Sequence, residues 1–149
     1  MSKELKRAWK DLVIQINPEI ELMLGAGLDT TPEIMNRDMT RFFNRVQRQV
    51  YGPRWASSPL DRPIAAIGFH EMIEGNHHVH LAASGPDRFF DRIATHGSRI
   101  WKATRRAGDF HVDSIRRIEG YSRYITKAAR SPRSLEHVFI YRRADWSDL

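Results

Sequence analysis

The chain has 149 residues, with 24 Lys or Arg against 18 Asp or Glu, for a formal net charge of +6. A content of 41% hydrophobic and 28% charged residues describes a soluble globular chain, expected as one domain over 1–149 with a sizeable core. The absence of Cys excludes a disulfide frame and a thiolate metal site and fits a reducing compartment. No apolar run is long enough to span a membrane and "MSKELKRAWKD" lacks the apolar segment of a secretory signal, so a cytoplasmic location is expected. The positive excess favours a polyanionic partner.

In chain order, "KDLVIQIN" (10–17) alternates and is rich in β-formers, which predicts a first strand. Thr30 and Glu33 are spaced as a capping box, and Pro32 suits the first turn of a helix. Met35, Met39, Phe42, Val46 and Val50 follow at helical spacing as core residues, until Gly52–Pro53 stop the run. "RPIAAIGFHEMI" (62–73) and "HHVHLAAS" (77–84) predict two strands joined by a tight turn at Glu74–Gly75 or Gly75–Asn76. The segment 85–108 predicts a helix with Phe90, Ile93, Gly97, Ile100 and Thr104 on one side and Gly108 as its stop. A short strand at 109–115, a helix at 119–130 ended by Ser131–Pro132, and a last strand at 136–142 complete the chain. The order β-α-β-β-α-β-α-β implies an α+β fold, a mainly antiparallel ferredoxin-like sheet covered by helices on one face.

The hairpin carries the densest chemistry. "GNHHVHLAAS" (75–84) puts three of the seven histidines into four positions. Strand alternation sends His78 and His80 to one face and His77 and Val79 to the other. Either turn register places Glu71 on the face of His78 and His80, opposite one of them. Two imidazoles and a carboxylate with open positions suit a divalent cation that also takes water or a phosphate oxygen. The alternative is that His78 and His80 are polar residues on a solvated sheet face. His70 and His77 have the opposite parity and are expected to be structural.

Further on, Tyr121, Tyr124 and Lys127 follow at i, i+3 spacing on one helical surface. A tyrosine hydroxyl, with its ordinary pKa of about 10, becomes a useful nucleophile only beside a cation that stabilises the phenolate. Taken alone, the segment also reads as two boundary tyrosines and a solvated lysine.

Together, in this order, the two segments resemble the HUH endonucleases, in particular small rolling-circle replication initiators of filamentous phages, plasmids and replitron-like elements. His78-Val79-His80 matches the family's histidine–hydrophobe–histidine motif on a central strand, and Glu71 stands where an acidic residue commonly completes the metal site. "YITK", Tyr124 to Lys127, matches its Tyr-x-x-Lys nucleophile motif, and Tyr121 lacks such a lysine. The resemblance covers residues 10–130. It implies an HUH endonuclease fold and a nickase that forms a 5′-phosphotyrosine on single-stranded origin or hairpin DNA. Mg²⁺ or Mn²⁺ would be held by Glu71, His78 and His80, Tyr124 would attack, and Lys127 would stabilise charge. Arg105, Arg106, Arg116, Arg117, Arg123 and Arg130 cluster around the tyrosine helix and are expected to include DNA-backbone contacts. Host replication proteins are expected partners, and no membrane is.

Three other readings compete. A single-tyrosine transposase of the same superfamily usually has glutamine four positions after the tyrosine, where this chain has Ala128. A non-catalytic ferredoxin-like nucleic-acid module should expose aromatics on its sheet. In a simple metal-dependent hydrolase Tyr124 would be dispensable.

Overall fold

The computed structural model describes residues 3–53, 63–73, 75–127 and 137–142. The chain begins with a helix, α1 (Lys3–Gln15), and not with the expected strand. Trp9, Leu12, Val13 and Ile16 recur at helical spacing and pack together on the sheet, overriding the alternation of Leu12, Ile14 and Ile16. Ile14 is left 39% exposed. The first strand is β1 (Ile20–Gly25), where Ile20, Leu22 and Leu24 alternate into the core.

The helix α2 (Pro32–Tyr51) starts one residue later than the capping box implied: Thr31, not Thr30, caps it, its hydroxyl accepting from the Ile34 N–H at 3.2 Å. Pro32 occupies the first turn, and Met35, Met39, Phe42, Phe43 and Val46 are buried. Next come β2 (Ala65–Ile73) and β3 (Asn76–Ser84). In α3 (Phe89–Thr104) the buried face is Phe89, Ile93, Gly97, Ile100 and Trp101, with Phe89 and Trp101 standing where Phe90 and Thr104 were expected. The chain continues through β4 (Phe110–Ser114), α4 (Ile118–Lys127) and β5 (Phe139–Arg142).

The five strands form one antiparallel sheet in the order β4-β1-β3-β2-β5. From β1 to β4 the chain follows β-α-β-β-α-β with strand order 4-1-3-2, the ferredoxin-like split arrangement, to which β5 is added beyond β2 and α4 on one face. Helices cover both faces rather than one. One face, with Leu22, Leu24, Val79, Leu81 and Ala83, packs on α2 and α3 in the main core. The other, with Ile67, Phe69 and Ala82, packs on Val13 of α1 and Ile125 of α4. Trp9 meets Phe69 edge-on, with ring centroids 5.9 Å apart.

Where α3 ends, the Arg105 guanidinium turns inward. It donates to the Asp38 carboxylate of α2 at 2.7 Å and to the Ala26 carbonyl at 2.9 Å. The two side chains are only 13% and 7% exposed, so this ion pair is a buried clamp joining α2, α3 and the end of β1. Removing Asp38 strips the buried Arg105 of its carboxylate, and removing Arg105 leaves the buried Asp38 only the exposed Arg37 guanidinium at 3.4 Å. Arg105→Ala and Asp38→Ala should each cost about 3 kcal/mol, and the double variant less than their sum. Urea unfolding of the three variants checks this.

Candidate functional site

The β2–β3 pairing sets the site. Ile73 pairs with Asn76, which is the first of the two expected registers, and Glu71 lies opposite His78. Gly75 has φ +73°, a left-handed conformation that glycine adopts without strain. Glu71 reaches diagonally past His78, and its Oε2 lies 2.8 Å from His80 Nε2. Both histidine side chains are about one-sixth exposed and that of Glu71 is 40% exposed.

His78 turns the other way, its Nε2 lying 4.0 Å from Asp109 Oδ2 just before β4. It fits there because the intervening residue is Gly25: a Cβ on Gly25 would lie 3.0 Å from the Asp109 Cβ and 3.1 Å from His78 Cδ2. The Gly25 N–H donates to the Asp109 carbonyl at 2.8 Å, and the Gly25 carbonyl accepts from the Trp101 indole at 3.1 Å. The expected triad is thus on one face but drawn into two pairs, Glu71–His80 and His78–Asp109. Among the described residues no three His, Asp or Glu side chains are gathered closely enough to hold an ion as they stand. The donor types and their accessibility nonetheless fit a divalent cation, since one carboxylate and two imidazoles share this side of the hairpin.

His70 and His77 lie on the opposite face, as their parity required. Their rings are hydrogen-bonded, His70 Nδ1 to His77 Nε2 at 2.7 Å, and His70 Nε2 meets Asn36 Oδ1 of α2 at 2.7 Å. The Asn36 amide also donates to the His137 carbonyl at 3.3 Å, so its oxygen faces His70, which must supply the proton on Nε2. His70 is fully buried, and desolvation, reinforced by His77, pushes its pKa down to about 4.

On α4, Ser122 and Ile125 are buried against the sheet. The Tyr121 hydroxyl donates to the Leu81 carbonyl of β3 at 2.9 Å, which gives it a positioning contact. Tyr124 and Lys127 belong to the same helix, but their side chains lie outside the described residues. Of the six arginines, Arg105 is committed to its clamp with Asp38, and Arg106, Arg116, Arg117 and Arg123 are exposed. Arg130 lies outside the described residues.

Between β1, β4 and the start of α4 a cleft of about 800 Å³ opens beside His80, bordered by Glu21, Met23, His111, Asp113, Arg116, Arg117 and Tyr121. Glu21 and Asp113 are directly paired across the two strands. Partial burial, together with the Asp113 charge, raises the Glu21 pKa. Glu21, Met23, Asp109 and His111 were missed by the sequence reading. The signal was the alternation of "IELMLG", which puts Glu21 and Met23 on the face away from the core.

The buried His70 makes stability depend on pH. It titrates near 4 in the folded chain and near 6.5 when unfolded, so between those values the unfolded state binds more protons. Its contribution is fully present above pH 6.5 and is lost as pH falls toward 4. The loss should approach about 3 kcal/mol at the acid end. Urea midpoints measured across this window should fall steadily, and His70→Gln should flatten the slope.

No protein-family model matches the chain, and no curated protein or solved structure matches it significantly.

Proposed function

We propose that the chain is an HUH-type, metal-dependent single-strand DNA nickase that initiates rolling-circle replication, with Tyr124 as its nucleophile. The observation that carries this reading is the single sheet face shared by Glu71, His78 and His80, with the helix of Tyr124 packed over the same face. Such a face admits a strand to the hairpin through the cleft between β1, β4 and the start of α4.

The Tyr124 phenolic oxygen attacks the scissile phosphorus in line with the departing 3′ oxygen. A bond forms between that oxygen and phosphorus as the P–O3′ bond breaks, giving a 5′-phosphotyrosine and a free 3′-OH. The phenol loses one proton and the leaving oxygen gains one. Lys127, one helical turn on, stabilises the charge that develops near the phenolate or phosphate. Glu71, His78 and His80 would hold a Mg²⁺ or Mn²⁺ ion, which when bound would supply Lewis-acid charge for the scissile phosphate. The covalent link conserves the phosphodiester, so a 3′-OH can later reverse the step. Arg116 and Arg117, exposed just before α4, and Arg123, exposed in its middle, hold the DNA backbone.

Incubation with a random-sequence single-stranded DNA pool and Mn²⁺ should give a covalent adduct on a denaturing gel. Tyr124→Phe should abolish it while leaving folding and DNA affinity intact, and Tyr121→Phe should retain it. Mass spectrometry that maps the adduct to Tyr121, or normal cleavage by Tyr124→Phe, would refute the assignment. His78→Ala/His80→Ala should lose most Mn²⁺ affinity in a titration without DNA. Separately, strand affinity should fall steeply with salt, and Arg116→Ala/Arg117→Ala should shrink that slope by about 1.4. A wild-type slope near zero would count against a DNA partner.

A further inference from the structure

We propose that the cleft between β1, β4 and the start of α4 seats one base of the DNA strand beside the scissile phosphate, and that Glu21 and Asp113 make it read base identity, favouring guanine and rejecting thymine. The choice of a DNA strand as occupant rests on the nickase reading; the base preference rests on the cleft.

The cleft is continuous with the hairpin. His111, Met23 and His80 are successive cross-strand partners on β4, β1 and β3, so one strip of side chains runs from the hairpin to the cleft. Met23, half-buried, gives this strip an apolar surface, and the His111 ring lies beside it at the exposed edge of the sheet. A flat heterocycle suits such a floor. Next to the strip, Glu21 and Asp113 face each other across β1 and β4. Two paired carboxyl groups repel a phosphate, so a strand crossing here must turn its backbone away from them. Arg116 and Arg117, exposed and lining the same cleft, offer the matching charge for that backbone. What then faces the carboxylates is the base edge.

Ionised carboxylates only accept hydrogen bonds. Asp113 Oδ1 already accepts from the Ser114 N–H at 2.8 Å, and among the described residues no hydrogen bond engages the Glu21 carboxyl. Guanine presents two adjacent donors, N1–H and the N2 amino group, which a carboxylate accepts in parallel. Cytosine and adenine offer one amino group each. Thymine offers a single N3–H flanked by two carbonyl oxygens that carboxylates repel. An amide in place of a carboxylate would donate to thymine O4 while accepting from N3–H, so Glu21→Gln should move the preference toward thymine.

The test is fluorescence anisotropy of the full chain with labelled dT12 and (dTdG)6, in EDTA so that no metal is needed, beside the Mn²⁺ adduct assay. Wild type should bind (dTdG)6 about tenfold more tightly than dT12, in the range of one well-made base contact. Glu21→Gln should bring the two strands to within about twofold, chiefly by gaining affinity for dT12, and Asp113→Asn should narrow the gap in the same direction. Equal wild-type affinity for the two strands overturns the base-reading cleft, as does an unchanged preference in both variants; an adduct at Tyr124 would leave the nickase reading standing in either case. A guanine preference that depends on Glu21, found without any adduct at Tyr124, supports the cleft and removes the nickase reading.

Discussion

The pairing of β2 with β3 is the constraint on which everything else in this molecule hangs. Their loop is two residues long, and side chains alternate with a period of two, so a slip of one residue on β3 would send His78 and His80 into the dry core. It would also bring Val79 and Leu81, both fully buried, out to the open face. Those two residues help hold the sheet against α2 and α3, and the apolar contacts they would lose oppose any such slip. The position of the histidine pair is therefore maintained by residues that take no part in chemistry.

The two faces of the hairpin put identical side chains to opposite uses. His70 and His77 are locked into a hydrogen-bonded row that ends on Asn36, and burial keeps His70 neutral at physiological pH. His78 and His80 meet carboxylates at a partly exposed surface, where an imidazole keeps access to solvent and to ligands. The coverings differ as well. α2 and α3 seal their face with large aromatic side chains, including Phe42 against Trp101 at 5.8 Å. α1 and α4 cover the β2 side of the other face, and on the β1–β4 side the start of α4 borders an open cleft.

Much of this was legible in the sequence wherever one period dominated. The stripe from Met35 to Val46 could only be a helix, and the spacing of Glu71, His78 and His80 placed them on one face whichever turn was used. The N-terminal stretch failed because both periods coexist there. Leu12, Ile14 and Ile16 alternate, while Trp9, Leu12, Val13 and Ile16 follow a helical stripe, and only packing on Phe69 decides between them. Misplacing that strand hid the real β1 and with it the cleft, since Glu21 gains meaning only opposite Asp113. Arg105 could not be separated from its basic neighbours either, because its buried partner Asp38 is far away in sequence. The likeness to HUH endonucleases rests on motif order and spacing, and the ferredoxin-like strand order is compatible with it.

The strand order also divides the site by the chain entropy needed to close it. The β2–β3 hairpin brings Glu71, His78 and His80 together across a loop of two residues, the smallest closure in the sheet. The wall that places Glu21 against Asp113 joins strands separated by α2, the hairpin and α3. Topologies dominated by such distant pairings are slow to form, because the ordering cost precedes the contacts that offset it. The histidine half of the site is thus a local property of one short segment, whereas the cleft half exists only in the completed sheet.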